Sequence, residues 1–294
     1  MSSPGADRGS GPTGGDPPSG ITSVAGPYRP GEIIGAHNSV LDVHCALKLI
    51  EMGASPRAVA ERLLDEARAA ARLGHPAIVR VLDYGETSQG DPFIAMELLD
   101  GEDLAQLMER QSKLPAVEAV QMLLPIAHAL AAAHAKGIVH RDVKPENIFL
   151  ARDEVTTTQP KLLDFGIVRF ESKNRRLTID GAVLGTPSYM SPEQARGETT
   201  SGQTDLWSFS VVLYELIAGK RPFDGDNYNA LMYAIINSDP TPLSELGVAD
   251  EELSAIVTRG LAKALGDRWP NMRDMGEELA LWLESQGVTE DIAG

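Results

Sequence analysis

His140-Arg141-Asp142-Val143-Lys144-Pro145-Glu146-Asn147 sets an acid five residues before an asparagine, with a lysine between them. A carboxylate so placed orients a substrate hydroxyl and accepts its proton, the asparagine oxygen holds a metal ion, and the lysine neutralises phosphate charge. The chemistry implied is phosphoryl transfer, with Asp142, Lys144 and Asn147 as catalytic candidates. Seventeen residues beyond Asn147 comes Asp164-Phe165-Gly166. The Asp164 carboxylate is a hard oxygen ligand that suits Mg²⁺, so Asn147 and Asp164 are the metal candidates. Ser191-Pro192-Glu193 closes the run.

These three segments, in this order, match the signature set of protein kinases. Over roughly residues 28–285 the chain resembles a bacterial Hanks-type (eukaryotic-like) Ser/Thr protein kinase catalytic domain. The resemblance implies an α+β, bilobal fold: a small antiparallel-sheet lobe with one helix, then a larger helical lobe. It implies ATP and Mg²⁺ as cofactors and protein substrates with Ser or Thr acceptors. Upstream, Cys45-Ala46-Leu47-Lys48 resembles the V-A-I-K strand, with Lys48 on the α/β-phosphates and Glu66 as its partner on the small lobe's helix. Ala95-Met96-Glu97-Leu98-Leu99 resembles the hinge, with Met96 as gatekeeper, backbone groups of Glu97 and Leu99 meeting adenine, and Asp103 near the ribose. Ala46, Gly35 and Val40 complete the implied nucleotide set, with Val43 an alternative to Val40 as the adenine cap. Downstream, Gly185-Thr186-Pro187-Ser188-Tyr189-Met190 resembles the loop that binds the residue after the acceptor. Asp205 matches a buried structural acid, and Arg268 matches the residue that pairs with Glu193. Lys144 and Thr186 resemble the Ser/Thr class rather than the Tyr class. Phosphorylation between Asp164 and Glu193 is expected to activate, at Thr178 first and Ser172 second, because Arg141 is placed to pair with a loop phosphate.

One stretch departs from the family pattern. A loop G-x-G-x-x-G-x-V is expected after the first strand, and the text here is Gly35-Ala36-His37-Asn38-Ser39-Val40. From Gly35 to Lys48 the chain is short by roughly nine residues, so part of a strand is expected to be missing. Two readings follow: an active protein-serine/threonine kinase, or a pseudokinase that serves as a weakly nucleotide-binding signalling scaffold. A small-molecule phosphotransferase is disfavoured by Gly185 to Glu193 and by Asp205. Ser210, where glycine is usual, and Gly266, where proline is usual, are lesser departures.

Composition bounds the rest. The 294 residues carry 26 Lys and Arg against 42 Asp and Glu, a net charge of −16. That balance argues against a nucleic-acid binder and against docking on an anionic membrane. The single cysteine, Cys45, excludes an intrachain disulfide and fits a reducing, cytoplasmic setting. The best apolar run, Val211 to Ala218, holds Glu215 and is too short to span a bilayer. The six histidines show no metal-ligand spacing. Residues 1–27 are rich in Gly, Pro and Ser and read as a disordered tail. The small lobe is expected over 28–99, the large lobe over 100–285 and a tail over 286–294. Strands are expected at 32–34, 41–50, 78–82 and 93–98. Helices are expected at 56–73, 117–136 (kinked at Pro125), 205–219, 230–237, 251–264 and 272–285.

Overall fold

The computed structural model describes residues 21–24, 33–38, 42–49, 73–86, 92–152, 158–164, 187–290 and 292. The chain forms two compact units, Met1–Leu64 with Val81–Leu98, and Asp65–Arg80 with Leu99–Gly294.

The first unit is built on an antiparallel sheet of β1 (Ile21–Val24), β2 (Ile33–Asn38), β3 (Val43–Leu49), β4 (Val81–Glu86) and β5 (Pro92–Glu97). The strand order is β1-β2-β3-β5-β4. Side chains alternate across a strand, and in β3 this sends Cys45, Leu47 and Leu49 into a core with Ala36, Phe93 and Ala95. Cys45 is a core filler there, and burial pushes its thiol pKa up. The opposite face of β3 carries His44, Ala46 and Lys48.

Two expectations are corrected by this sheet. Residues 21–24, in the stretch read as a disordered tail, form an outer strand that pairs with β2. Only four residues are needed, so the Gly- and Pro-rich composition around them hid the strand. The expected strand at 78–82 is split between the units. Ile78 makes a parallel bridge to Leu162 in the second unit, while β4 begins at Val81 in the first. The helix expected at 56–73 lies, but for Leu73, outside the described residues.

The second unit holds a three-stranded sheet, β6 (Gly101–Asp103), β7 (Ile148–Arg152) and β8 (Thr158–Leu162), in the order β6-β7-β8. The β7–β8 hairpin was not expected from the sequence, because its strands are five residues each and alternate only weakly. Gly101 opens β6 at φ +146, where a Cβ would lie 2.1 Å from the Leu150 carbonyl oxygen; only glycine allows that approach. The helices are α1 (Leu104–Arg110), α2 (Ala116–His134), α3 (Pro192–Ala195), α4 (Gly202–Ala218), α5 (Tyr228–Asn237), α6 (Glu251–Gly260) and α7 (Met272–Ser285).

The helix α4 is apolar on nearly all sides and is the buried centre of this unit. It starts earlier than expected, at Gly202, because the Ser201 hydroxyl accepts from the backbone of Gln203 and caps it. Helix α2 packs on α4 and α7. By length and composition α2 could cross a membrane, which the sequence reading did not anticipate, but it is largely buried in the unit and is a core helix. Pro125 sits within α2 without ending it. The Gln121 carbonyl, which a proline at 125 leaves without its helical donor, accepts from the Ile292 backbone at 3.5 Å. The expected C-terminal tail is thereby tied to α2, and Gln121 Nε2 also donates to the Glu290 carbonyl at 3.1 Å.

Candidate active site

The β7–β8 hairpin creates the local geometry. Ile148 pairs with Leu162, so the residues that flank the hairpin, Asn147 before β7 and Leu163 and Asp164 after β8, meet at its open end. The Leu163 backbone donates to the Asn147 carbonyl at 2.8 Å. A separation of seventeen residues in sequence thus becomes one of neighbours. Asp164 takes φ +49, a left-handed conformation that short polar side chains tolerate better than others.

Within the loop His140 to Asn147, the Asp142 carboxylate is the hub. Its Oδ2 lies 3.1 Å from Lys144 Nζ and accepts from Asn147 Nδ2 at 3.2 Å. The same Asn147 nitrogen donates to the Asp142 carbonyl at 2.7 Å. The Asn147 amide nitrogen is therefore committed to Asp142, which turns the amide oxygen into the end suited to a cation.

The loop is held from below by one buried acid. Asp205, on the first turn of α4, is fully buried. Its Oδ2 accepts from the His140 backbone at 2.7 Å and its Oδ1 from the Arg141 backbone at 2.6 Å. His134 Nε2 lies 2.8 Å from the same Oδ2. Arg141 adopts φ +66 under this clamp. His140 is also buried: its Nδ1 accepts from the Asp142 backbone at 3.2 Å, so its Nε2 carries the proton donated to the Leu163 carbonyl at 2.7 Å. This imidazole ties the loop of Asp142 to the segment of Asp164. His134 and the linking role of His140 were not evident in the sequence, because each depends on residues far away along the chain.

Glu193 and Arg268 form a buried, bidentate pair, with Nη1–Oε1 at 3.0 Å and Nη2–Oε2 at 2.9 Å. The Thr204 hydroxyl donates to Glu193 Oε1 at 2.9 Å, and Arg268 Nε donates to the Ala262 carbonyl at 2.6 Å. Burial alone would raise the Glu193 pKa. The Arg268 hydrogen bonds and charge outweigh it and hold the carboxyl below its ordinary range. Gln194, next along α3, donates to the Arg141 carbonyl at 3.0 Å, so this anchor reaches the loop His140 to Asn147. Tyr189 donates to Glu215 Oε2 at 2.7 Å, and Ser208 donates to the Tyr189 carbonyl at 2.8 Å. Asp142, Val143, Lys144, Pro187, Tyr189 and Met190 share one small pocket.

The nucleotide candidates are distributed over both units. In the first, β2–β3 pairing sets Gly35 against Ala46, and β3–β5 pairing sets Ala46 against Met96 and Lys48 against Ile94. Directly paired residues share a sheet face, so Gly35, Ala46, Lys48 and Met96 stand on one face, opposite the core. Gly35 is mid-strand rather than at a turn, and a Cβ there would meet open space. Glu97 ends β5, and Leu99 begins the stretch 99–294 of the second unit. The Asp103 carboxylate caps α1 by accepting from the Gln106 backbone at 2.8 Å. Val40, Glu66, Ser172, Thr178 and Thr186 lie outside the described residues.

Among known families, the protein kinase domain matches residues 28–269. The chain is 34% identical over 271 residues to a probable serine/threonine-protein kinase PknB of Corynebacterium glutamicum, covering 88% of this chain and 41% of that protein. It is 38% identical over 223 residues to the serine/threonine-protein kinase PknB of Mycobacterium leprae, covering 74% of this chain and 35% of that protein. It thus spans less than half the length of these curated relatives. The crystal structure of the PknI kinase domain of Mycobacterium tuberculosis aligns with a TM-score of 0.69 at 29% identity, over 92% of this chain and 97% of that one.

Proposed function

We propose that this chain, which belongs to the protein kinase domain family, transfers the γ-phosphate of ATP to Ser or Thr hydroxyls of proteins. The observation that carries the reading is the Asp142 carboxylate held against Lys144 and Asn147 beside the pocket lined by Pro187, Tyr189 and Met190. A peptide hydroxyl delivered to Asp142 donates a hydrogen bond to the carboxylate and gives up its proton there as its oxygen bonds to the γ-phosphorus, while the bond from that phosphorus to the bridging oxygen breaks and ADP leaves. Lys144, within reach of the same carboxylate, offsets charge on the phosphoryl group in transit.

The residues present fit a Mg²⁺ ion. The Asn147 amide oxygen and the Asp164 carboxylate are hard donors at the end of one hairpin, and Mg²⁺ takes only one or two protein ligands beside phosphates and water. The ion supplies charge neutralisation on the phosphates. On the first unit, Lys48 is assigned to the α/β-phosphates and Ala46 and Met96 to the adenine, in keeping with the shared sheet face. The single cysteine fits a reducing, cytoplasmic setting, the acidic charge disfavours nucleic acid and anionic membrane as partners, and the kinase family supports a role in signal transduction. Activation by phosphorylation between Asp164 and Glu193 is part of the same proposal. Mass spectrometry of purified wild type beside Asp142→Asn tests it: phosphate on this segment in wild type alone supports autoactivation.

The decisive experiment is radiolabelled phosphate transfer to the chain itself and to a generic basic protein, with Asp142→Asn as control. Transfer by wild type and not by the variant supports the assignment; no transfer by wild type removes it. The scaffold reading is not favoured. The catalytic loop's polar network is assembled, and the relatives bear kinase names.

A further inference from the structure

We propose that Arg221 is a specificity-determining residue: as a built-in counter-ion of Glu215 beside the acceptor pocket, it takes the place that a basic side chain of the substrate would fill, so that the chain accepts Ser/Thr peptides with uncharged flanks. The role rests on the kinase reading and concerns the substrate of that same site. Glu215 stands in the last turn of α4, half-buried, and its Oε2 accepts from the Tyr189 hydroxyl at 2.7 Å. Gly219 ends the helix at φ +70, and Arg221 follows two residues on. Arg221 Nη1 donates to the Ser188 hydroxyl, and its Nη2 lies 3.7 Å from Asp224 Oδ1. Ser188 lies between Pro187 and Tyr189, which share the pocket of Asp142 and Lys144. One guanidinium thus joins the loop after α4 to the wall of that pocket. Sequence spacing gives no sign of this, since Ser188 and Arg221 are 33 residues apart.

Three acids bear on this cluster, Glu215, Asp224 and Glu146, and they differ in what a cation gains from them. Burial pushes the Glu215 carboxyl above its ordinary range; the Tyr189 hydrogen bond and the Arg221 charge pull it back, and Glu146 adds a like charge nearby. A half-buried carboxylate is poorly solvated and needs a partner. Glu146 is exposed and the Asp224 side chain is 74% exposed, so pairs formed with either are weakened by water. With Arg221 in place, the buried acid has its cation, and a substrate Arg or Lys finds only the exposed acids. With Arg221 removed, the Glu215 charge is left without its cation, and a guanidinium of the peptide replaces it. The Arg221 side chain is itself 28% exposed, so the exchange takes place at the surface and the core stays closed.

The test uses the full chain and serine peptides in pairs that differ only by Arg or Ala at one position, scanned on either side of the acceptor, with transfer read as kcat/KM. Wild type is expected to prefer Arg by no more than about fivefold at any position, the most that exposed pairs give. Arg221→Ala is expected to raise that preference by about tenfold or more where the peptide side chain meets Glu215, as a half-buried carboxylate regains a partner. Arg221→Lys keeps the charge and is expected to select as wild type does. Arg221→Ala combined with Glu215→Gln removes the acid and is expected to lose the gain. Loss of the Ser188 contact by itself lowers transfer to both members of a pair, so the ratio separates charge from loop position. If wild type already prefers Arg beyond that limit, if Arg221→Ala gains no preference, or if its gain persists with Glu215→Gln, the proposal is overturned. Fluorescence anisotropy of the same peptides, labelled, reads the ratios as binding. A chain that transfers nothing therefore ends the kinase reading, while the binding ratios still decide the role of Arg221.

Discussion

Under the proposed function, Asp142 is the residue on which turnover is expected to depend most directly. Its carboxylate makes contact with Lys144 and Asn147, so Asp142→Asn keeps the shape of the loop while it removes the proton acceptor. Turnover is expected to fall by about 10²–10⁴, as for loss of a general base, with ATP binding near that of wild type. Steady-state transfer rates beside nucleotide titration check this; equal turnover would reject the role. The pair Glu193–Arg268 tests a structural residue instead. Both side chains are buried, and Arg268→Ala strands a carboxylate without its counter-ion, which costs about 3–5 kcal/mol in urea melts. The pH dependence follows from the lowered Glu193 pKa. A depressed carboxyl contributes stability that is present above its unfolded pKa and is lost as pH falls through the folded one. Wild type is therefore expected to lose stability below its ordinary carboxyl range more steeply than Glu193→Gln does. Parallel acid curves for the two proteins would contradict the pairing argument.

At the scale of elements, α4 and α6 meet where the sequence departs from its family. Ser210 on α4 stands where glycine is usual, and its hydroxyl donates to the Leu206 carbonyl at 2.8 Å. Gly260, the last residue of α6, makes room for it: a Cβ at 260 would lie 2.0 Å from Ser210 Oγ and 3.0 Å from Ser210 Cβ. Gly260→Ala is expected to destabilise by about 1–3 kcal/mol, as overpacked cores do. In the Ser210→Gly background the same substitution is expected to cost less than about 1 kcal/mol, since the clashing atoms are gone. A double-mutant cycle by chemical denaturation measures the coupling, and additive effects would show that the two residues do not oppose one another. Element boundaries were read well where caps and period agree. Met272–Ser285 matches its expected span, and its cap is Asn271 accepting from Asp274. They were read poorly in β7 and β8, which are short and depend on each other for pairing.

At the scale of the whole molecule, the net charge of −16 sets the response to salt. Like charges repel in the compact state, and salt screens them. Raising ionic strength from about 0.01 to about 0.15 M, where the Debye length falls from about 30 to about 8 Å, is expected to raise Tm. A thermal melt series in NaCl checks this, and a falling Tm would mean that attractive surface pairs outweigh the net repulsion. The first unit's sheet shows the limits of counting along the chain. Among the described residues the sheet has five strands, and its outer place is taken by residues 21–24, well upstream of the stretch from Gly35 to Lys48 on which the count was made.

Asp142, Lys144, Asn147, Asp164, Glu193, Asp205 and Arg268 could all be picked out in one dimension as candidates, because the family's motifs leave a pattern of residue types and spacings along the chain. The two-lobe order of strands then helices was legible for a related reason: periodicity is local. The partners of those side chains were not. That Asp205 holds the backbone of His140 and Arg141, that His140 joins Asp142 to Leu163, and that His37 faces His44 are contacts between segments distant in sequence. They exist only once strands have paired and α4 has been buried, since register and packing, rather than spacing, determine which side chains come within hydrogen-bonding distance.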